Sequence, residues 1–261
     1  MLARQRQEVI LEETRRTGAV RVSDLVSKLG VSDMTIRRDL DVLANRGLVE
    51  KVYGGATTVT RTAIADDLDP CAEVRVCHRA IATEAARLVE PGHAIGLSSG
   101  PVTRALARAL DSVPNLTVVT NSLAVADIAA ASAQPQRVVV LTGGVRGESD
   151  ALVGPLAVQS LRGLHVDLVF LDVHGIAEQA GFTVTDLIES EADRALVEAG
   201  GRLIVLADHT RWATVGISTV AALSEADVLI SDDGLDEHAR EVLAAHVGEL
   251  VVVPVRSGGQ R

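Results

Sequence analysis

Aromatic residues are almost missing: Tyr53, Phe170, Phe182 and Trp212 are the only four in 261 residues. So few rings cannot form a platform that stacks single-stranded bases, so any nucleic-acid partner is expected to be duplex. Cysteine is just as scarce. Cys71 and Cys77 are separated by five residues, with only His78 close by. That spacing gives neither a disulfide framework nor a metal-ligand pattern, and two ordinary thiols are expected, with no metal site and no cofactor. No apolar run reaches the length of a membrane helix, and the opening MLARQRQEVI is too polar for a signal peptide. A cytoplasmic protein without a membrane partner is the expectation. Also missing are a nucleophile elbow, a Walker A loop, an HExxH pair and a GxGxxG turn.

What is present divides unevenly along the chain. A hydrophobic content of 47% excludes a disordered protein, and 261 residues suffice for one small and one large domain. The net charge of −10 conceals an asymmetry. Residues 1–61 hold eleven basic and eight acidic side chains, +3, whereas the remainder holds fourteen and twenty-seven, −13. A mildly basic head on an acidic body fits a DNA reader joined to a sensing domain, because salt screens the body's charge beyond about 10 Å.

The head is where local signals agree best. Ser32 is a good N-cap, and Ile36, Leu40 and Leu43 fall at i, i+4 and i+7, one apolar stripe of a helix. Its other face carries Asp33, Met34, Thr35, Arg37, Arg38 and Asp41. Arginines beside a threonine near a helix start suit a major groove, where they reach base edges and phosphates. A helix over Ser23–Leu29 precedes it across the short Gly30-Val31 link, and the pair reads as a helix-turn-helix. The alternation through Leu48–Tyr53 predicts a small wing whose Lys51 reaches the phosphate backbone. Ser32, Met34, Thr35, Arg37, Arg38 and Lys51 are therefore the candidate DNA contacts. Asp39 is expected to order the helix by pairing with a nearby cation.

Arg6, Ile10, Ser32, the run Thr35-Ile36-Arg37-Arg38-Asp39-Leu40 and Gly54-Gly55-Ala56 resemble the DNA-binding signature of the DeoR family of bacterial transcriptional repressors. Thr14 departs, standing where that pattern usually has an aliphatic residue, which implies a modest loss of packing. A first helix is expected from about Arg4 to Thr17, ended by Gly18.

From Cys71 onward aliphatic strands alternate with helices. Strands are predicted over His93–Ser98, Leu116–Thr120, Arg137–Thr142, Asp167–Asp172, Arg202–Ala207, Val228–Ser231 and Val251–Val255. Helices are predicted over His78–Val89, Val102–Leu110, Ser122–Ala133, Pro155–Leu161, Glu189–Ala199 and Asp236–His246. This pattern predicts an α/β domain with a mostly parallel, buried sheet, preceded by a small α+β winged helix-turn-helix domain. The expected divisions are 1–56 for the head, 57–70 for a linker, 71–255 for the α/β domain and 256–261 for a tail.

In such sheets ligands bind at the carboxyl ends of strands. There lie Ser98-Ser99-Gly100, Thr120-Asn121-Ser122, Gly143-Gly144-Val145-Arg146 and Asp208-His209-Thr210-Arg211. Each loop alone is also ordinary cap and turn chemistry, but four together predict a polar pocket. Their order, with Ala151–Pro155 and Gly181-Phe182-Thr183 between them, is similar to the DeoR sensor domain. That resemblance implies a ribose-phosphate-isomerase-like fold and a phosphorylated sugar or related metabolite as effector. Gly100, Thr120, Asn121, Gly143, Gly144, Glu189, Arg194 and Asp208 match family positions, and Arg211 keeps the charge of the usual lysine. With Ser98, Ser99 and Arg146 these are the candidate effector contacts.

The departures alter the expected ligand. An Asp-x-Gly-Thr-Thr loop of the family appears here as Ser98-Ser99-Gly100-Pro101-Val102, and Asp193 and His78 occupy frequent lysine positions. A carboxylate in place of a lysine implies poorer phosphate binding than the family norm. The resemblance as a whole implies a repressor, dimeric or larger, whose grip on DNA an effector alters. A competing reading is a sugar-phosphate isomerase or hydrolase with a DNA-binding head, for which Glu189 or Asp208 would have to act as base. A third, a metal or redox sensor, would rest on Cys71, Cys77, His78 and His93.

Overall fold

A computed structural model of the chain describes residues 6, 9–10, 19–45, 49–52, 55–58, 72–134, 136–147 and 149–255. Two compact units emerge, 1–65 and 66–261.

In the first unit, α1 (Val22–Leu29) and α2 (Asp33–Asn45) meet at a tight turn. Gly30 sits there at φ +63°, donating its amide to the Val26 carbonyl at 3.0 Å. A left-handed residue just past a helix end closes the last turn and is most easily supplied by glycine. Ile36, Leu40 and Leu43 are buried, joined by Val22 and Leu25 of α1 and by Ile10 and Val20. The predicted stripe is therefore the core. Beside it β1 (Ala19–Arg21), β2 (Val49–Val52) and β3 (Gly55–Thr58) form an antiparallel sheet in the order β1-β3-β2. The wing thus has a third strand that the sequence pattern did not predict. Its β3 runs to Thr58, two residues into the stretch read as linker, because Thr57 and Thr58 pair with Glu50 and Val49. Thr14 and most of the first helix fall outside the described residues.

The second unit is built on a seven-stranded parallel sheet. Its strands are β4 (Ala94–Leu97), β5 (Thr117–Thr120), β6 (Val138–Leu141), β9 (Val166–Asp172), β12 (Gly200–Leu206), β14 (Val228–Asp232) and β15 (Glu249–Val253). Their order is β15-β14-β12-β9-β4-β5-β6. Every neighbouring pair is parallel. The chain starts at β4, winds outward through β5 and β6, then returns to the far side of β4 at β9 and winds the other way. Between β4 and β9 the winding reverses, and adjacent loops leave the sheet in opposite directions, opening a crevice at their carboxyl ends.

Side chains alternate across the sheet. Leu168, Phe170, Ile204 and Leu206 face one core with Ile81 of α3 (Ala72–Ala86), Leu106 of α4 (Pro101–Ala109) and Val125 of α5 (Leu123–Ala130). Val169, Leu171, Leu203 and Val205 face the other core. Leu161 of α6 (Pro155–Arg162), Leu196 of α7 (Leu187–Glu198) and Leu243 of α8 (Glu237–His246) pack there. A strand buried on both faces reads as a continuous aliphatic run, which is why these strands were predicted nearly correctly. The predicted helix at His78 starts six residues earlier, at Ala72.

Elements outside that pattern escaped prediction. They are the hairpin of β7 (Val145–Arg146) with β8 (Leu152–Val153), and a sheet of β10 (Gly175–Ala177), β11 (Gly181–Val184) and β13 (Ser218–Ala221). These strands are two to four residues long and antiparallel.

Gly30 gives a direct test of the turn between α1 and α2. A Cβ added there meets nothing within 4 Å, so only backbone conformation opposes a side chain. Gly30→Ala should cost about 1 kcal/mol. Gly30→Asn should cost less, since asparagine tolerates φ above zero. Hydrogen exchange of the α2 amides reads the difference; equal protection in wild type and Gly30→Ala would contradict this account of the turn.

Candidate functional site

The nucleic-acid interface begins at the cap of α2. Ser32 Oγ accepts from the Thr35 amide at 3.3 Å and pairs with Thr35 Oγ1 at 2.8 Å. Asp33 in the first turn adds a favourable charge at the positive end of the helix. With the apolar stripe turned inward, Ser32 and Arg38 are exposed, Thr35 is half-buried, and Met34 is 73% exposed. The side chains of Arg37 and Lys51 fall outside what is described; the Lys51 backbone lies in β2 opposite Ala56. Asp39 is buried and accepts from Arg6 Nε at 2.5 Å, so the cation expected for it comes from the first helix.

The crevice of the second unit is polar and densely bonded. Ser98 follows β4 and is wholly buried; its Oγ accepts from the Asp172 amide at 2.9 Å, tying β4 to β9. Asp172 ends β9, and its Oδ2 accepts from the Val102 amide at 2.7 Å, in the first turn of α4. Gly100 is required by space: a Cβ there would overlap the Asp172 carboxylate. Thr120 donates to the Leu97 carbonyl at 2.7 Å and accepts from the Ser122 amide at 3.0 Å, locking the β5 loop. Asn121 between them is 1% exposed, and neither its Oδ1 nor its Nδ2 has a partner among the described residues. Ser99 donates to the Ser149 carbonyl at 3.2 Å, and Ser149 Oγ donates to Glu189 at 2.8 Å. A Cβ on Gly143 would make only an ordinary contact with Leu156 Cβ at 3.9 Å, whereas Gly144 takes φ +136° against the Val153 backbone.

One turn beyond Glu189, on the same face of α7, lies Asp193, 2% exposed, with an unpartnered Oδ1. Burial, and then the nearby Glu189 and Asp172, push its pKa well above the ordinary carboxylate range. An ionised Asp193 would be a fixed negative charge facing phosphate, as the sequence alone implies. Instead, removal from water favours its protonated, neutral form. Burial likewise raises Glu189, against the bond from Ser149, and raises Asp172 to about 6.

Across the crevice Asp208 accepts from His78 Nε2 at 3.0 Å, from the Thr210 amide at 2.9 Å and from Thr210 Oγ1. Arg211 Nε lies 3.7 Å away. Although burial opposes ionisation, those donors and the Arg211 charge outweigh it and hold Asp208 below the usual carboxylate range. The other arginines are committed elsewhere. Arg146 donates to Asp150 at 2.7 Å, and Arg194 donates to Ser218 Oγ and the Thr219 carbonyl. Asp172 and Ser149 were missed by the sequence reading. Asp172 looked like the plain end of a strand, and only the juxtaposition of β4 and β9 gives it a role.

A winged helix-turn-helix joined to a doubly wound sheet with a polar crevice is the architecture of a ligand-responsive DNA-binding protein. Comparison with known proteins agrees: the DeoR-like helix-turn-helix domain matches residues 6–62, and the DeoR C terminal sensor domain matches residues 76–233. The chain belongs to the DeoR family. It is 34% identical to the HTH-type transcriptional regulator YgbI of Escherichia coli K12, over 97% of this chain and 98% of that protein. It is 31% identical to the HTH-type transcriptional regulator GolR of Listeria innocua, over 89% of this chain and 92% of that one. A solved ribose 5-phosphate isomerase A from Methanocaldococcus jannaschii overlaps 52% of this chain and 53% of its own, at 16% identity and a TM-score of 0.38. An overlap of that size carries no weight on function. Among the described residues no helix is long and apolar enough to cross a membrane.

The raised Asp172 pKa has a signed consequence. Between the unfolded value of 3.8 and about 6 the folded chain holds a proton that the unfolded chain has lost. This group's contribution to stability is therefore greatest below pH 4 and falls as pH rises through 6. Asp172→Asn removes that dependence. Relative to wild type, the variant should gain on the order of 2 kcal/mol between pH 4 and pH 7. Denaturant unfolding at both pH values checks it, and a constant difference would contradict the assignment.

Proposed function

We infer that this DeoR-family regulator represses transcription by binding duplex DNA through α2, and that a small molecule in the β4–β9 crevice alters that binding. The observation that carries the DNA reading is the division of α2. Ile36, Leu40 and Leu43 hold it to the core, while the capped, N-terminal part presents Ser32, Met34, Thr35 and Arg38. A helix held in this way can enter a major groove without exposing its own core. The paired half-sites that such readers use favour a homo-oligomer of two or more chains. An isomerase would need a general base free to meet substrate, and both candidates are engaged, Glu189 by Ser149 and Asp208 by His78 and Thr210.

For the effector, the unspent groups of the crevice are, among the described residues, mostly hydrogen-bonding, with Arg211 the one cation. Asn121 and Asp193 carry unpartnered polar atoms, Arg146 and Arg194 already face Asp150 and β13, and Arg211, 3.7 Å from Asp208, keeps an Nε without a hydrogen bond. This supports an uncharged polyhydroxylated compound, such as an unphosphorylated sugar or polyol, over a sugar phosphate. A dianion would have to recruit Arg211 away from Asp208.

Arg38→Ala should weaken operator binding by about 1–3 kcal/mol if Arg38 reads a base. If it meets phosphate, the loss should be equal on all sequences and the salt slope shallower by roughly one unit. Wild-type affinity in the folded variant would remove α2 from the interface. For the crevice, calorimetry should find parent sugars or polyols binding at least about tenfold more tightly than their phosphates, a difference of about 1.4 kcal/mol. Asn121→Ala should abolish the binding. Tighter binding of the phosphates would mean that Arg211 supplies the charge after all.

A further inference from the structure

Cys77, His209 and Asp232 are distant in sequence, yet the fold gathers them outside the crevice contacts described above. Cys77 lies on α3, His209 opens the turn after β12, and Asp232 ends β14. One ligand atom from each lies within 4.8 Å of the other two. Cys77 and Asp232 are buried, while the His209 side chain is 40% exposed. We propose that these three side chains form a binding site for a divalent transition-metal ion of borderline character, such as Zn²⁺.

The donor set is the first argument. Thiolate, imidazole and carboxylate together suit Zn²⁺ and its neighbours, and not the all-oxygen ions Mg²⁺ and Ca²⁺. Ligand orientation is the second. Asp232 is fixed by the amides of His209 at 2.8 Å and Gly234 at 2.9 Å. His209 Nδ1 lies 2.7 Å from Asp232 Oδ1. Gly234 lies so close to the imidazole that a Cβ there would come within 2.5 Å of the ring. Two of the three ligands are therefore held before any ion arrives. Bonds of about 2.0–2.3 Å to one ion put tetrahedral donors roughly 3.3–3.8 Å apart, so the His209–Asp232 pair, now 2.7 Å apart, would exchange its hydrogen bond for the ion by opening around it. Access is the third argument, since the partly exposed His209 leaves an entry path and a position for water or a further ligand.

The same trio also has the composition of a cysteine nucleophile with a His–Asp pair, but the surroundings oppose it. A reactive cysteine needs a thiol pKa lowered by positive neighbours. Here burial, then Asp232 and Asp208, push the Cys77 thiol up to about 11. A dication supplies the positive charge that this cluster of acids lacks, and it displaces the thiol proton as it binds. Sequence spacing concealed the site because Cys77 was weighed with Cys71, His78 and His93, its neighbours along the chain.

The test uses the full chain without a histidine tag, stripped by chelator and titrated with Co²⁺. One equivalent should bind, with a thiolate-to-cobalt charge-transfer band in the near ultraviolet, and Zn²⁺ should displace it. Cys77→Ser should remove the band and Cys71→Ser should leave it. His209→Gln, at a half-exposed position, should fold and bind at least tenfold more weakly, and it keeps the test open if Cys77→Ser does not fold. Absence of the band at stoichiometric Co²⁺, its survival in Cys77→Ser, or unchanged affinity in His209→Gln would each overturn the proposal.

Discussion

The reversal of winding between β4 and β9 is the constraint on which the sensor unit depends. It places the ends of two buried parallel strands side by side, and their polar groups must be satisfied away from water. Ser98 accepts from the Asp172 amide, Asp172 accepts from α4, and Gly100 leaves room for that carboxylate. Each group thereby closes the structure at the strand ends. Among the described residues Asn121, Thr142, Asp193 and Arg211 keep unpartnered atoms near these strand ends, and these are what a ligand can use. The expense of burying these atoms without partners falls on the empty state and is relieved when a ligand supplies hydrogen bonds.

Charge tells the same story from the other side. The family resemblance suggested a pocket weakened toward phosphate because Asp193 replaces a lysine. The weakening stands as a proposal, but its physical basis changes. Burial, with Glu189 and Asp172 nearby, pushes Asp193 toward its neutral form, which weakens the repulsion a fixed anion would exert. On the opposite wall His78, in another frequent lysine position, is buried against Asp208 and helps keep it ionised. Carboxylates pushed in opposite directions thus lie close together, set apart by burial and by their donors.

Legibility followed the range of the signal. The helix-turn-helix could be read because Ser32, Ile36, Leu40 and Leu43 interact within one helix, at spacings the chain itself displays. The parallel strands could be read because burial on both faces leaves a continuous aliphatic run. Strands such as Gly175–Ala177 and Ser218–Ala221 could not, being too short to show alternation and held by partners elsewhere in the chain. Asp172 and the Cys77–His209–Asp232 cluster were hidden for a stronger reason. Their roles exist only once strand order brings distant loops together. The Arg6–Asp39 pair is an intermediate case, since the acid announced a need for a cation but not which one.

The central claim is that one chain reads duplex DNA with α2 and answers to a ligand in the crevice. The most direct measurement is selection of bound duplexes from a random pool by the full chain, followed by titration of the selected complex with sugars, polyols and their phosphates. The account predicts enrichment of paired half-sites and their release by an unphosphorylated compound, with Asn121→Ala still bound to DNA but deaf to that compound. Enrichment no better than non-specific binding, or release that persists undiminished in Asn121→Ala, would contradict it.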